Sequence, residues 1–373
     1  MWARGLRRDV TGDRADVDTG RLEAYLATEL DEPAVETTVL ADGLNLTVGV
    51  SVGDGEPDYV LRRPGELRDT EGFIPLAREY RLLERLEGTP VGAPEPVLRC
   101  EDPSLVGGPF IVTSHVEGAG IHWGDRLPEG FREAPSRRRL AHLLVDTLAA
   151  LHTLDVERFA DVCERVPPPA QVERTVESLD AATSVTGHDL PALWAVADWL
   201  RANAPAGATT ALVHGDYKPD NVFVTWDDRP ALAGVVDWET GFLGDPLTEL
   251  GTLLFYWFEE GDPAPSVEDI AARHPEAAGL DQLRERREQG FWPFTSAPGS
   301  PDRRELVARY EELTGTPFEH ERFYRAMGAF MLATVWEHLH RREIEAGAEP
   351  TPAPHVEYVA AMADSIVEGE LEL

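Results

Sequence analysis

The polar residues best suited to chemistry stand close together between positions 214 and 237. Asp216 stands three residues after the end of an apolar segment, and Lys218 and Asn221 come two and five residues after Asp216. A carboxylate in that position can accept the proton of an attacking hydroxyl group. Lys218 is also the only lysine among the 34 basic residues of this 373-residue chain. The spacing therefore predicts a phosphoryl-transfer loop whose catalytic residues are Asp216, Lys218 and Asn221.

A divalent-cation site is predicted beside this loop. Asp237 ends an apolar strand, and the chain between Asn221 and Asp237 runs out and back as one hairpin. The hairpin can therefore bring an amide oxygen and a carboxylate next to each other. Mg²⁺ favours hard oxygen ligands and usually keeps phosphate oxygens in its shell. Asn221 and Asp237 are accordingly the predicted Mg²⁺ ligands.

The first 116 residues consist mostly of short β-like segments. One amphipathic helix is predicted around residues 21–30, and another at 76–86, where apolar residues recur at helical spacing. Alternating patterns bounded by turn residues predict strands at 37–40, 46–52, 59–62, 96–100 and 110–115. This order of elements predicts a small antiparallel, β-rich lobe.

From residue 117 onward the pattern becomes mainly helical. Helices are predicted at 138–153, 190–203, 246–258, 303–314, 319–342 and 356–368. Strands at 211–213, 222–225 and 232–237 surround the polar motif, and residues 261–301, rich in Pro, Gly and Ala, predict a long irregular insert. The chain is thus predicted to be α+β and bilobal, with lobes at 1–116 and 117–373.

Composition excludes several classes of partner. The net charge of −34 argues against nucleic acid or an anionic membrane, because both require a basic surface. No apolar run approaches the ~18 residues of a membrane-spanning helix. Two cysteines, Cys100 and Cys163, give no disulfide framework, so a reducing cytoplasm is the expected location. The acid-rich, lysine-poor composition resembles proteins of salt-accumulating organisms.

The motif His214-Gly215-Asp216, followed by Asn221 and Asp237-Trp238-Glu239, resembles the aminoglycoside phosphotransferase family, which shares the protein-kinase fold. The similarity extends over nearly the whole chain. It implies that ATP or another NTP binds the first lobe and that a small-molecule hydroxyl is the acceptor. The nucleotide-binding residues that the resemblance implies are Arg62, Glu79, Asn45, Thr47, Ser114 and Val116.

Some of these positions depart from the family pattern or have a plainer interpretation. Arg62 stands where most kinases have lysine; it can bind phosphate and pair with Glu79, or it can be a surface arginine. Asn45 and Thr47 can donate to phosphate or serve only as turn and strand residues. No G-x-G-x-x-G sequence is present.

The C-terminal part resembles one branch of the family. Residues 303–310, Thr314-Gly315, Tyr324 and Arg341-Arg342 are similar to kinase-like domains fused to acyl-CoA dehydrogenases. That resemblance implies a hydroxylated metabolite or hydroxyacyl thioester as acceptor. The alternatives are a protein kinase and a non-catalytic nucleotide-binding pseudoenzyme, and the sequence sets no oligomeric state.

Aromatic residues in the predicted insert also have two interpretations. Phe291, Trp292 and Phe294 either wall a substrate pocket or form a local core that holds a long loop. His214 is predicted to support the catalytic loop by hydrogen bonding rather than to react.

Overall fold

The computed structural model describes residues 18–53, 55–65, 68, 72–206, 209–275, 277, 279–347 and 352–373. The strands in these ranges are β1 (Glu36–Asp42), β2 (Asn45–Ser51), β3 (Tyr59–Pro64), β4 (Pro96–Cys100), β5 (Phe110–Ser114), β6 (Arg165–Val166), β7 (Ala211–Val213), β8 (Val222–Trp226), β9 (Pro230–Val235) and β10 (Phe242–Gly244). The helices are α1 (Thr19–Glu29), α2 (Leu76–Leu86), α3 (Ala134–His152), α4 (Pro168–Thr186), α5 (Pro191–Asn203), α6 (Pro246–Tyr256), α7 (Val267–Arg273), α8 (Leu280–Gln289), α9 (Arg303–Thr314), α10 (Glu321–Glu345) and α11 (Ala353–Glu368).

The N-terminal region is a five-stranded antiparallel sheet in the order β1-β2-β3-β5-β4. Alternate residues of β2 and β3 (Leu46, Val48, Val50 and Leu61) point into a small apolar core closed by α1. The opposite face carries polar residues, and Thr47 lies directly across from Arg62 in the β2–β3 register. Residues paired across strands share one face of a sheet, so the side chains of both residues lie on this polar face.

Helix α2 places one acidic residue against this sheet. Its buried positions, Glu79, Leu82, Leu83 and Leu86, follow the i, i+3, i+4, i+7 spacing of a single helix face. The three leucines pack into the larger apolar core of the molecule. Glu79 is fully buried with them, and a buried carboxylate requires a cationic partner.

The C-terminal region is mainly helical, as predicted. The long helix α10 packs against α4, α6 and α11. Two small sheets lie beside the helices: β6-β10-β7, and the hairpin β8–β9. The α+β, bilobal, kinase-like fold predicted from the sequence is confirmed.

Two parts of the sequence prediction are wrong. The segment 261–301 is not irregular throughout, because it contains α7 and α8. Helix α8, sequence LDQLRERREQ, has too few apolar residues to show a helical stripe. The prediction also missed α4, which begins in a run of prolines that normally suggests a loop; Pro fits the first helical turn, and the buried residues Val172, Val176 and Leu179 lie further along.

The two lobes meet at closely packed glycines. Val235 in β9 donates its N–H to the carbonyl of Gly92, at 3.2 Å. A Cβ atom on Gly234 would lie 2.0 Å from that carbonyl oxygen, so only glycine fits there.

Cys100 and Cys163 are both free and buried. Among the described residues, none of the helices has the length and apolar character required to span a bilayer.

Candidate active site

The loop after β7 turns sharply because of one glycine. Gly215 has φ of +84°, in the left-handed region that side chains rarely adopt. A Cβ atom there would also lie 2.5 Å from the carbonyl oxygen of Thr240. The Gly215 N–H donates to the carboxylate of Glu249 in α6, at 2.6 Å. The next residue after the turn is Asp216, whose side chain is 18% exposed.

His214 supports this loop from below. Its fully buried ring lies between the loop and β9: Nε2 donates to the carbonyl of Val236 at 2.8 Å, and Nδ1 accepts the N–H of Asp216 at 3.2 Å. Both ring nitrogens are therefore used within the protein. This geometry agrees with the supporting role expected from the sequence.

Asp216, Lys218 and Asn221 are brought together by the loop. Lys218 Nζ donates to Asp216 Oδ2 at 2.6 Å, and the amide of Asn221 donates to the same oxygen at 3.0 Å. The Lys218 side chain is only 4% exposed. Burial raises the pKa of the Asp216 carboxyl, and the positive charge of Lys218 opposes that rise. The side-chain nitrogen of Asn221 donates to Asp216. The side-chain oxygen of Asn221 is therefore the atom suited to bind a cation.

Asp237 has an unusual backbone. Its φ is +65°, although it is not a glycine. This left-handed region costs most residues about 1–2 kcal/mol, and aspartate tolerates it better than most. The Val236 N–H donates to the carbonyl of Asn221 at 2.9 Å, which fixes the strained residue next to the catalytic loop. The Asp237 side chain remains one-fifth exposed and accessible to a cation.

Arg62 joins the two lobes through three carboxylates. Its guanidinium lies 3.4 Å from Glu79, 3.0 Å from Asp237 and 2.8 Å from Glu239. The pKa of Glu239 falls to about 2, because the charges of Arg62 and Arg68 outweigh the opposing effect of burial. The plain interpretation of Arg62 as a surface arginine does not fit this position.

Arg68 is a second cation that the sequence did not reveal. It donates to Glu79 at 2.7 Å and to the amide oxygen of Asn45 at 3.1 Å. Asn45 in turn donates to Glu239 at 3.3 Å. Arg68 lies between the predicted strand at 59–62 and the predicted helix at 76–86, so no periodic pattern marked it. The side chain of Asn45 is thus occupied within the protein in this structure.

Replacement of Arg68 by methionine should destabilise the protein strongly. The substitution leaves Glu79 buried with only the longer Arg62 contact, and breaking a buried ion pair costs about 3 kcal/mol or more. Chemical denaturation should show the loss in free energy of unfolding. The matched control is Arg81→Met on the exposed Arg81–Asp161 pair, where we expect almost no change. Equal effects in both variants would contradict a structural role for Arg68.

Two of the expected nucleotide-binding residues, Ser114 and Val116, lie at and just after the end of β5. The N–H of Ser114 donates to the carbonyl of Glu95 at 2.8 Å, and its hydroxyl accepts the N–H of Glu95 at 2.9 Å. A base bound here would therefore use the Ser114 carbonyl rather than its N–H. Val116 packs beside Gly234 on β9, at the border between the lobes.

Aromatic residues form a buried cluster beside the catalytic loop. Phe291 and Trp292 contact Trp123 and Tyr256, with ring centroids 5.1–5.8 Å apart. Trp292 Nε1 donates to the carbonyl of Ile121 at 2.7 Å. Phe291, Trp292 and Phe294 are all buried, as in a local core.

This cluster reaches the catalytic loop through a histidine. His122 Nδ1 lies 2.9 Å from Asp220 Oδ1 in the loop. The loop is further held by Glu249, which also contacts His152 at 3.1 Å. Sequence reasoning missed Glu249, although an acidic residue inside the apolar helix α6 was a usable signal.

Several known proteins are similar in sequence to this chain. Two curated relatives are the chicken and human proteins named acyl-CoA dehydrogenase family member 11. The chicken protein is 31% identical over 264 residues (64% of this chain, 31% of the relative). The human protein is 27% identical over 296 residues (71% of this chain, 36% of the relative). The chain thus spans about a third of these relatives' length.

Solved structures share the fold. A Ralstonia eutropha protein, provisionally assigned as an aminoglycoside phosphotransferase, superposes with a TM-score of 0.70 at 23% identity, covering 95% of this chain and 99% of that one. The GDP and kanamycin complex of an aminoglycoside 2″-phosphotransferase gives 0.57 at 16% identity, covering 93% and 98%.

The sequence model of the phosphotransferase enzyme family, abbreviated APH, matches residues 37–286, which include the sheet, the catalytic loop and Asp237. The matched range is two-thirds of the chain. The chain belongs to the APH phosphotransferase family.

Proposed function

We propose that this protein transfers the γ-phosphoryl group of ATP, or another NTP, to a hydroxyl group of a small molecule in a Mg²⁺-dependent reaction. The observation that carries the proposal is the contact of Lys218 and Asn221 with one oxygen of Asp216. A carboxylate, an ammonium and an amide that converge in this way supply a base, a phosphate-directed cation and a metal ligand. The nucleotide would lie between the lobes at 1–116 and 117–373.

Asp216 is proposed to orient the acceptor hydroxyl and accept its proton. Its raised pKa makes the carboxylate a stronger base than a solvated aspartate. Lys218, already beside that carboxylate, would meet the negative charge of the transferring phosphoryl group. Most of the rate enhancement then comes from position and charge, as in other phosphoryl transfers.

Arg62 is proposed to bind the α and β phosphates. In the structure its guanidinium is shared among Glu79, Asp237 and Glu239. Bound phosphates would compete for the guanidinium, while Glu79 keeps it in place from the helix side. Thr47, across from Arg62 on β2, would add a hydroxyl donor on the same face. Asn45 can join them only if it gives up its contacts with Glu239 and Arg68.

The donor atoms near Asp237 fit a magnesium ion. The amide oxygen of Asn221 and the carboxylate of Asp237 are hard oxygen ligands of the kind that Mg²⁺ prefers. Bound Mg²⁺ would neutralise phosphate charge at this position. Glu239 is less suited, because both of its oxygens serve Arg62 and Asn45.

Exchange of the single lysine tests the role of its compact ammonium group. Lys218→Arg should lower turnover roughly 10²-fold, because a wide guanidinium does not fit beside Asp216 in a pocket that is almost closed to solvent. Steady-state kinetics should show the loss mainly in kcat. Arg229→Lys, at the exposed turn between β8 and β9, is the control and should behave like the unmodified protein. Full turnover in Lys218→Arg would remove the argument for an ammonium.

The acceptor is best identified by a nucleotide-consumption screen in concentrated KCl. The salt is included because it screens the repulsion among the acidic groups of a chain with a net charge of −34. The panel should contain hydroxylated metabolites and hydroxyacyl-CoA thioesters, because two relatives carry acyl-CoA dehydrogenase names. Phosphate found in a protein fraction would indicate a protein kinase instead. Nucleotide binding without transfer to any acceptor would indicate a pseudoenzyme.

A further inference from the structure

A cluster of histidine and glutamate side chains lies in the C-terminal lobe, away from the catalytic loop. His188 follows α4, His274 follows α7, Glu337 and His340 lie on α10, and Glu357 lies on α11. Two sets of three, His188–His274–Glu357 and His188–Glu337–His340, have ligand atoms within 4.8 Å of one another. Both sets share His188, whose ring lies between the two carboxylates.

The hydrogen bond on one nitrogen of His188 prepares the other for a metal ion. Nδ1 lies 2.9 Å from Glu337 Oε2 and donates its proton there. Nε2 is buried, in a side chain only 9% exposed, and makes no hydrogen bond to any described residue. A carboxylate that accepts the distal N–H of a histidine is the usual support of a metal-binding imidazole.

Two further donor atoms surround that nitrogen. Glu357 Oε1 lies 3.5 Å from His188 Nε2 and 2.5 Å from His274 Nε2. Ligands about 2.1 Å from a tetrahedral zinc ion lie about 3.4 Å apart, so the first spacing already fits and the second must widen. His274 is 23% exposed, which gives an ion and a water ligand access from solvent.

We propose that His188 Nε2, His274 Nε2 and Glu357 Oε1 bind a zinc ion, with Glu337 as the residue that positions His188. Zn²⁺ accepts a set of two imidazoles and one carboxylate, whereas Mg²⁺ favours oxygen ligands over imidazole nitrogens. Arg273, on the other oxygen of Glu357 at 2.7 Å, balances its charge. The ion would connect α7, α11 and the α4–α5 loop.

Protons compete with the metal ion at this site. The groups facing His188 are Glu337 and His340 on α10, Glu357 on α11, and His274 with Arg273 at the end of α7. Both imidazoles must be unprotonated to bind the ion, so zinc binding should weaken at acidic pH.

The test uses the full chain, stripped with a chelator and then titrated with Zn²⁺ by calorimetry in excess Mg²⁺. We expect one zinc per chain and a higher Tm. His188→Gln and His274→Gln should abolish this binding, and Glu337→Gln should weaken it 10- to 100-fold. His142→Gln is the matched control, because His142 pairs with Glu305 at 3.1 Å without a second imidazole, and it should bind zinc normally.

Two results would overturn the proposal. One is zinc binding in His274→Gln that equals binding in His142→Gln. The other is loss of binding in His340→Gln but not in His274→Gln, which would place the ion in the other set. Co²⁺ gives an independent readout, since a tetrahedral nitrogen–oxygen site should produce visible absorption that disappears in His274→Gln while circular dichroism remains unchanged.

Discussion

Asp216→Asn should lower kcat by about 10² to 10⁴-fold, the range that a positioned general base contributes. Asparagine has the same shape as aspartate, so the contact with Asn221 and the loop around Gly215 can persist. The amide cannot take the proton of an acceptor hydroxyl, and it leaves the ammonium of Lys218 without its counter-charge. Single-turnover kinetics with the identified acceptor would measure the chemical step directly.

Asp228→Asn is the matched control for this experiment. Asp228 is exposed in the turn between β8 and β9, further along the chain than Asp216. Its replacement by asparagine removes the same negative charge. Its kcat and its unfolding midpoint should equal those of the unmodified protein. Near-normal turnover in Asp216→Asn, together with a normal control, would show that Asp216 is not the base.

Asp237→Ala should lower the rate of phosphoryl transfer by about 10³-fold or more, because a metal ion contributes several kcal/mol of charge stabilisation to a transition state. The loss should appear in kcat, and excess Mg²⁺ should not restore it. Initial rates as a function of Mg²⁺ concentration are the measurement. A variant whose rate recovers fully at high Mg²⁺ would show that Asp237 only aids binding of the ion.

Asp237→Asn distinguishes the effect of losing the negative charge from the effect of backbone strain at residue 237. Asparagine also tolerates a left-handed φ, whereas alanine at +65° is strained by about 1 kcal/mol. Both variants should be inactive, but only Asp237→Ala should lose stability in denaturant unfolding. Equal losses of stability would mean that the Arg62 contact, absent in both, matters more than the backbone.

Local patterns predicted much of the fold, since many of its strands and helices left their own period in the sequence, although α4 and α8 did not. Helix α2 was predicted with the bounds it has, because its leucines recur on one face. Arg68 could not be found in this way, since its role arises from contacts with Asn45 and Glu79 that are 23 and 11 residues away. The His188 cluster joins residues up to 169 positions apart, a proximity that only the packed helices create.

Lys218, buried against Asp216, can serve as a spectroscopic probe of the proposed active site. Because the chain has one lysine, isotope-labelled lysine introduces a single side-chain signal, and that signal comes from the centre of the proposed active site. Nuclear magnetic resonance can then follow the charge state of one ammonium group, without assignment of any other residue, as nucleotide, Mg²⁺ and acceptor are added in turn.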